Sequence, residues 1–335
     1  MQESQLKHRV LLLGDAGLST ISPRQASLQK VIERAKGVSA QTSVIMLGDN
    51  IYPNGFPNKT AEQNDFNPEQ LEDISHLKAQ LEVSRLSKAE MFLVPGNHDW
   101  YASQVDSQAS YIASYSKKNN TKVSFVPYKK NKKPLPQVIY RDGISLIFID
   151  SMWLLQANKA DFSEAMSQLD QFLQQSNEKH PENVIMLFAH HPIETMGPHG
   201  GYYAKLGYEF YAKTRELING QDTQDLDFPA YQRLINGVKF ALTPYKKTIF
   251  AAGHDHSLQL FKNTKRTGAQ YSLVSGAANT KKLTDVGNNE NTQFASSVEG
   301  LFEIDVLDSG VLLRIYDIYD SSPIHQQWLW KKDQK

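Results

Sequence analysis

The sequence predicts an α/β fold in which a largely parallel sheet packs against a second, more antiparallel sheet. Three observations support this prediction: short apolar runs alternate with helical patterns, each run ends in a polar turn, and the last third changes to strands joined by short loops. With 335 residues, 40% of them apolar, the chain can bury a large core without covalent cross-links. No composition break marks a linker, so we expect a single domain over residues 1–335, with its core in residues 8–320.

The predicted parallel strands are short runs rich in Val, Ile, Leu and Phe, as expected for strands buried on both faces. These runs are Val10–Leu13, Val44–Leu47, Met91–Val94, Val184–Ala189 and Thr248–Ala252. Helical patterns lie between them. Arg24–Lys36 and Pro68–Leu86 each carry apolar residues on one face, and Asp161 with Glu164 indicates a capping box that opens a third helix.

The last third of the chain predicts strands that are joined more tightly. The predicted strands are Tyr271–Val274, Leu301–Val306 and Val311–Tyr316, and residues 308–310 read Asp-Ser-Gly, a favourable hairpin turn. We expect these strands to form the second sheet. Three segments are predicted to be loops: Tyr52–Asn67, Lys117–Pro136 and Thr280–Phe294.

Composition excludes several classes of function. The 36 basic and 36 acidic side chains balance, which argues against a nucleic-acid partner. The absence of cysteine excludes disulfides, thiolate nucleophiles, cysteine zinc sites and iron–sulfur clusters. No apolar run is long enough for a membrane span. A phosphate-binding P-loop and a Gly-x-Ser-x-Gly nucleophile elbow are both missing, and Gly14 with Gly17 lacks the third glycine of a dinucleotide fingerprint.

Five predicted strands end in turns that carry acidic, amide or imidazole side chains. These turns contain Asp15, Asp49, Asn97–Asp99, His190–His191 and His254–His256. Ligands of open α/β sheets bind at the carboxyl ends of strands, so we expect the five turns to meet. Each turn alone is a weak signal, because a lone histidine is more often structural. Together they would leave many polar groups unpaired, and Asp15 and Asp49 would repel one another, unless a cation lies between them.

Carboxylate, amide and imidazole groups without thiolate suit zinc, iron, manganese and similar ions. About seven candidate ligands are too many for one tetrahedral site and fit two metals that share a bridging carboxylate. Two metals about 3.5–4 Å apart commonly assist in-line displacement at phosphorus. The residues therefore favour a di-metal phosphoester hydrolase.

The five turns, in this order, resemble the motifs of the calcineurin-like metallophosphoesterase superfamily, and most closely those of the purple acid phosphatases of the tartrate-resistant type. The matching segments are Gly14–Gly17, Gly48–Tyr52, Gly96–Asp99, Phe188–His190 and Gly253–His256. Most superfamily members have Asp-x-His in the first motif, where this chain has Gly17. Purple acid phosphatases share that change and supply a tyrosine, which matches Tyr52. The resemblance implies a four-layer sandwich of two mixed β-sheets flanked by helices.

The resemblance also implies two metal ions and their ligands. The first site would hold Fe(III), which phenolate binds strongly, and its ligands would be Asp15, Asp49, Tyr52 and His256. The second site would hold Fe(II), Zn or Mn, and Asn97, His190 and His254 would complete it. Asp49 would bridge the two ions. The alternative interpretation of Tyr52 is a packed aromatic residue at the start of a loop.

Catalytic roles follow from the same resemblance. A metal-bound hydroxide would attack the phosphorus of a small phosphorylated substrate, most simply a phosphomonoester. His98 and His199 would contact phosphate or protonate the leaving group, and Asp99 would fix the tautomer of His98. For His199 an ordinary loop residue is the alternative, and His191 is expected to support the ligands rather than bind metal. Phosphodiester, nucleotide or pyrophosphate hydrolysis and a non-catalytic scaffold on the same fold are the alternative functions.

The resemblance bears on location as well. Purple acid phosphatases are usually exported, so it favours a secreted or periplasmic protein in its mature form, while a cytoplasmic location stays open. The oligomeric state, the physiological substrate and the identity of the second metal are left open by the sequence.

Overall fold

The computed structural model describes residues 6–20, 26–58, 65–101, 103–128, 132–200, 202, 224–262 and 265–331. Its strands form two seven-stranded sheets. The first sheet contains, in spatial order, His325–Lys331 (β14), Gly310–Asp317 (β13), Gly300–Leu307 (β12), Leu6–Leu13 (β1), Thr42–Met46 (β2), Glu90–Leu93 (β3) and Val123–Phe125 (β4). The second contains Thr292–Ser296 (β11), Leu258–Lys262 (β9), Tyr271–Ser275 (β10), Thr248–Ala252 (β8), Val184–Phe188 (β7), Ile144–Phe148 (β6) and Gln137–Arg141 (β5).

Helices cover the outer face of each sheet. They are Ala26–Ala35 (α1), Pro68–Ser87 (α2), Asn97–Tyr101 (α3), Val105–Asn119 (α4), Ser151–Gln156 (α5), Lys159–Lys179 (α6) and Pro229–Leu242 (α7). Helices α1, α2 and α4 share a hydrophobic core with the first sheet, and α5, α6 and α7 share another with the second. The predicted four-layer sandwich of two mixed sheets is therefore confirmed. Within the described part of the chain, no helix has the length and apolarity that a membrane crossing requires.

Strand β1 shows why the apolar runs do not alternate with polar residues. Val10 and Leu12 belong to the core between the two sheets, whereas Leu11 and Leu13 belong to the core under the helices. Successive side chains of a strand point to opposite faces, so a strand covered on both faces needs apolar residues throughout. Between the sheets, the rings of Phe92 and Phe148 lie 5.3 Å apart.

The last third of the chain does not form a sheet of its own, and that expectation was wrong. Strands β12 and β13 join the first sheet, where β12 pairs antiparallel with β1, while β10 joins the second sheet beside β8. The edge of β1 opposite β2 is open to pairing, and β12 covers it. The predicted hairpin turn does connect β12 and β13, and Gly310 adopts a φ of 140° there. The first sheet thus contains strands from both the early and the late parts of the described chain.

Helix α6 begins earlier than the predicted capping box. Asn158 is its N-cap, and the Asn158 side chain accepts a hydrogen bond of 3.0 Å from the backbone N–H of Asp161. Asp161 therefore lies in the first turn, where its charge favours the positive end of the helix dipole. The predicted helix start at Asp161 was wrong. Asparagine is as good an N-cap as aspartate, and Asn158, which comes first in the chain, is the residue that caps this helix.

Strand β1 contains a buried histidine, His8. The ring of His8 is 3% exposed, and its Nε2–H donates to Ser43 Oγ at 2.8 Å, because the Ser43 hydroxyl itself donates to Glu90. Burial lowers the pKa of His8 from 6.5 to about 4. The folded state therefore favours the neutral ring.

We expect His8 to make the fold sensitive to acid. Its contribution to the free energy of unfolding is complete above pH 6.5 and is lost as the pH falls toward 4, at an overall cost of about 3 kcal/mol. His8→Gln keeps a donor for Ser43 but does not titrate, so the pH dependence should be shallower in this variant. Urea unfolding at pH 7, 5 and 4 measures the difference. Equal pH dependence in both proteins would refute the role of His8.

Candidate metal centre

The site lies where the carboxyl ends of β1, β2 and β3 meet those of β7 and β8. Two hydrogen bonds join the sheets at this point. The backbone N–H of Gly14 donates to the Ser275 carbonyl at 2.7 Å, and the Nδ1 atom of the His190 ring lies 2.8 Å from the Leu47 carbonyl. All five polar turns of the sequence therefore lie at one end of the sandwich. The expected convergence came from one parallel sheet, whereas the structure builds it from the facing ends of two.

Three of the polar residues adopt left-handed backbone conformations directly after their strands. The φ angles are 62° for Asp15, 50° for Asp49 and 69° for His254. Non-glycine residues in this region cost about 1–3 kcal/mol each, and such strain clusters at functional sites. In this protein the strained turns bring the three side chains together above the strand ends.

Gly17 is required by a close approach of neighbouring residues. A Cβ atom at this position would lie 2.7 Å from the Asp49 carbonyl oxygen and 2.8 Å from Cδ2 of Tyr52. The Tyr52 ring therefore occupies the space that a side chain at position 17 would need. A histidine side chain at position 17 could not be accommodated while Tyr52 occupies this space.

The first group of polar atoms surrounds the Asp15 carboxylate. Tyr52 donates its hydroxyl to Asp15 Oδ1 at 2.9 Å, and His256 Nε2 lies 3.2 Å from the same oxygen and 3.1 Å from the Tyr52 hydroxyl. His256 Nδ1 is 2.7 Å from the Lys282 carbonyl, so it carries a proton and donates. The neutral ring then presents its Nε2 lone pair to Asp15 and Tyr52, which is the form that binds a metal.

The charges and burial of this group shift the pKa values of His256 and Tyr52. Burial lowers the pKa of His256, but the hydrogen bond and charge of Asp15 outweigh it and raise the pKa above 6.5. Burial, Asp15 and Asp49 raise the pKa of Tyr52 well above 10. A bound cation reverses both effects, because it favours phenolate and neutral imidazole.

The second group surrounds His190 and includes the side-chain oxygens of Asn97 and Asp49, which face its ring nitrogen as acceptors. Because His190 Nδ1–H donates to a carbonyl, its Nε2 carries a lone pair. This nitrogen lies 2.9 Å from Asn97 Oδ1, 3.2 Å from His254 Nδ1 and 3.4 Å from Asp49 Oδ1. Facing acceptors repel unless a cation or proton lies between them.

Two further observations favour a cation at the second group. The Nε2 of His254 is buried without a hydrogen-bond partner, and burial, followed by the neighbouring imidazoles, lowers the pKa of His254 well below 6.5. Neutral imidazole is a common ligand of transition metals. Ligand atoms of Asp15, Asp49 and His190 lie within 4.8 Å of one another, so Asp49 stands between the two groups. The residues therefore fit a metal centre.

His191 lies in the same cluster but its ring nitrogens are occupied. Its Nδ1 is 2.8 Å from Ser151 Oγ, and its Nε2 is 2.7 Å from Gln224 Oε1. Gln224 Oε1 can only accept, so Nε2–H donates to it and Nδ1 accepts from Ser151. His191 thus anchors the turn that carries His190.

His98 lies beside Asp49, as expected, but its orientation has a different cause. His98 Nδ1 contacts the Pro53 carbonyl and its backbone N–H donates to Asp49 Oδ1 at 3.0 Å. With Nδ1–H held in this way, Nε2 lies 3.9 Å from Asp49 Oδ2. The side chain is 24% exposed, so the Nε2 atom is accessible from solvent.

Asp99 does not contact His98, and the expectation that it fixes the His98 tautomer was wrong. The Asp99 carboxylate is fully buried and accepts hydrogen bonds from the backbone of Gly96 at 2.7 Å and from the side chains of Asn50 and Gln108 at 2.9 Å each. Both residues belong to α3, where consecutive side chains point in different directions. Asp99 instead fixes the turns that carry Asp49 and Asn97.

His199 lies against the second group, in a single 3₁₀ turn formed by Pro198–Gly200. Its ring stacks on His254 with the centroids 3.9 Å apart, and its Nδ1 lies 3.2 Å from Asp225 Oδ1. Its backbone N–H donates to Asp255 at 3.3 Å. Asp225 was missed by sequence reasoning, because it lies 26 residues from His199 and belongs to no motif.

The fold is similar to those of several solved structures at low sequence identity. GAP50, the anchor in the inner membrane complex of Plasmodium, is 17% identical with a TM-score of 0.59, and the alignment covers 99% of this chain and 91% of that one. The purple acid phosphatase PPD1 from yellow lupin (Lupinus luteus) seeds is 14% identical with a TM-score of 0.60 over 95% of this chain, which spans about half, 53%, of the lupin enzyme. PhoD is 12% identical with a TM-score of 0.53, covering 98% and 72% of the two chains. These likenesses establish the fold.

Sequence comparison establishes the family. No curated protein matches the chain significantly. The family model described as calcineurin-like phosphoesterase matches residues 8–258, a range that includes all five polar turns. Members of this family are metal-dependent phosphoester hydrolases, and the donor set at the strand ends fits that chemistry. The chain belongs to the calcineurin-like phosphoesterase family.

Proposed function

We propose that this protein is a phosphomonoesterase of the purple acid phosphatase type, with two metal ions at the strand ends. The observation that carries the proposal is the contact of the Tyr52 hydroxyl with Asp15 and His256, in space that Gly17 leaves open. A phenol placed among carboxylate and imidazole ligands is a strong donor for Fe(III). Asp15, Asp49, Tyr52 and His256 would hold Fe(III), and Asn97, His190 and His254 would hold Fe(II), Zn or Mn, with Asp49 shared.

The residues around the metals have separate tasks in this proposal. When bound, the metal pair neutralises charge on the phosphate oxygens and activates water as the nucleophile. As an imidazolium, His98 would deliver its Nε2 proton to the leaving oxygen, since its Nδ1–H is held by the Pro53 carbonyl. His199, stacked on His254 and paired with Asp225, contacts the phosphate from the other side.

Removal of the proposed general acid should affect substrates unequally. His98→Ala is expected to lower kcat about 10²–10⁴-fold on an alkyl phosphate, whose alkoxide needs a proton, and far less on p-nitrophenyl phosphate. Steady-state kinetics on both substrates measure this, with His325→Ala in the distant strand β14 as the control. An equal loss on the two substrates, or full turnover, would contradict the assignment of His98.

Substitution of Tyr52 tests the identity of the first metal. Wild-type protein loaded with iron should show a visible tyrosinate–Fe(III) charge-transfer band, and Tyr52→Phe should lose this band together with activity. Tyr319→Phe is the control, because Tyr319 is 78% exposed. An iron-free, colourless but active wild type would instead indicate a generic manganese or zinc phosphoesterase.

The class of phosphoester that the protein hydrolyses is tested by comparing its activity on several substrates. The same activated water can attack a phosphodiester, a nucleotide or pyrophosphate. Side-by-side turnover of p-nitrophenyl phosphate, its bis ester, ATP and pyrophosphate by the metal-loaded protein tests the preference for monoesters. A higher kcat/KM on the bis ester or on pyrophosphate would replace the proposed substrate class.

A non-catalytic role is the second candidate, because GAP50, which has a similar fold, is described as an anchor. Loss of catalysis on this fold should first remove metal ligands or His98. In this chain every residue of the set is present, and the described structure brings the set together. If the wild type binds two metals and hydrolyses none of the four phosphoesters, the scaffold role gains support.

A further inference from the structure

Tyr101 is the last residue of α3 and lies one helical turn after Asn97. Its hydroxyl oxygen is 2.6 Å from Asn97 Nδ2, and its ring packs edge-on against His98 with centroids 4.8 Å apart. Residues four apart share one face of a helix, so α3 itself brings the tyrosine to the amide. Tyr101 thus contacts both a proposed metal ligand and the proposed general acid.

The contact decides which end of the amide faces the metal site. Only the oxygen of an asparagine amide can bind a cation, whereas the nitrogen is a donor. Asn97 Oδ1 faces His190 Nε2 at 2.9 Å, and Asn97 Nδ2 donates to Tyr101. Without an acceptor for Nδ2, the amide gains by rotating and donating to the His190 lone pair. That rotation would remove two ligand atoms from the second site.

Tyr101 lies at the protein surface, whereas the amide that it contacts is buried. The tyrosine is 48% exposed, while Asn97 is 3% exposed. A half-exposed tyrosine contributes little to the core, and its hydroxyl is directed at a buried amide. The arrangement is that of an outer residue that orients a metal ligand, and such residues typically change metal affinity or activity about 10–100-fold when they are substituted.

We propose that Tyr101 is a positioning residue for the second metal ion, which it serves by holding Asn97 with Oδ1 toward that ion. The inference rests on the proposed di-metal function. The proposal predicts that binding of the second ion depends on the Tyr101 hydroxyl, whereas binding of the first ion does not.

Tyr101→Phe tests the proposal because it removes one oxygen and keeps the ring beside His98. Zn²⁺ titration of the iron-loaded protein should show affinity for the second ion reduced about 10-fold or more. The visible absorption of the first site should be unchanged, and excess Zn²⁺ should restore kcat. Tyr319→Phe should behave as wild type. In an Asn97→Ala background, Tyr101→Phe should cause no further loss of Zn²⁺ affinity, because its effect acts through Asn97.

The outcomes separate this inference from the proposed function. If wild type binds two ions and Tyr101→Phe binds the second as tightly, the positioning role is wrong while the function stands. Equal loss of both ions, or a further loss in the Asn97→Ala background, also overturns it, since either result indicates a general structural role. If wild-type protein itself binds no metal pair, the proposed function fails first.

Discussion

Asp49→Asn is expected to lower kcat/KM on phosphomonoesters by at least about 10³-fold and to reduce the metal content below two ions per chain. The Asp49 carboxylate lies between the two ligand groups, and an amide has neither the charge nor the second acceptor oxygen to bridge two cations. Metal assistance contributes several kcal/mol to the transition state, which corresponds to this factor. Kinetics and elemental analysis of the purified variant measure the two effects.

A matched control separates the loss of metal from a loss of fold. The amide introduced by Asp49→Asn retains an oxygen for the N–H of His98, so the turn should still form. Asp142→Asn makes the same chemical change in an exposed turn between β5 and β6 and should leave activity and metal content unchanged. Wild-type activity in the Asp49→Asn protein would show that Asp49 does not hold the metals.

The second large effect is on stability and comes from a buried ionic network. Glu303 in β12 is fully buried, and its carboxylate meets the guanidinium groups of Arg34 at 2.6 Å, Arg314 at 2.7 Å and Arg9 at 3.6 Å. Asp305 pairs with Arg9 and Arg314 at 2.7 Å each. These ion pairs therefore connect β1, β12 and β13 with α1 on the outer face of the first sheet.

Glu303→Ala is expected to lower the free energy of unfolding by about 3–5 kcal/mol, because it leaves Arg34 without its carboxylate and leaves Arg9 and Arg314 to share the single carboxylate of Asp305. Urea unfolding at pH 7 measures this. Asp308→Ala is the control: its pair with Lys7 at 3.2 Å is exposed, and its loss should cost between about 0 and 1 kcal/mol. A similar small loss for both variants would show that the network does not stabilise the fold.

The strands that were predicted are covered on both faces, but two interior strands of the second sheet, β6 and β9, were not predicted although they are almost fully buried. The bounds of β8 match the predicted Thr248–Ala252. A short, uninterrupted apolar run of this kind is typical of a strand that is buried on both faces. Edge strands were missed: β5 and β14 are only partly buried, and their polar residues carry no clear period. The predicted loop Lys117–Pro136 contains the end of α4 and the three-residue strand β4 for the same reason.

Sheet membership could not be predicted from local pattern. Strands β12 and β10 have the same apolar character, yet one pairs with β1 and the other with β8. The choice depends on which edges the earlier strands leave open, which is a property of the assembled fold. The antiparallel second sheet was therefore assigned to the wrong strands, although the layer architecture was correct.

For the site, too, the sequence pattern predicted which residues would come together but not the contacts that orient each of them. The order of the turns predicted which side chains would converge, because a residue that follows a buried strand lies at the sheet end. The partner of each side chain was not predictable: Pro53 rather than Asp99 orients His98, and Ser151 anchors His191 from 40 positions away. Such partners come from loops whose paths the sequence pattern does not specify.

Anomalous diffraction from crystals of the protein loaded with iron and zinc tests the central claim most directly. We predict two peaks about 3.5–4 Å apart at the end of the sandwich, with the carboxylate of Asp49 between them. The iron peak should lie beside Tyr52 and the zinc peak beside Asn97. A map with no peak there, or with a single peak that leaves Asp49 unbound, would contradict a shared pair of cations and the hydrolase built on it.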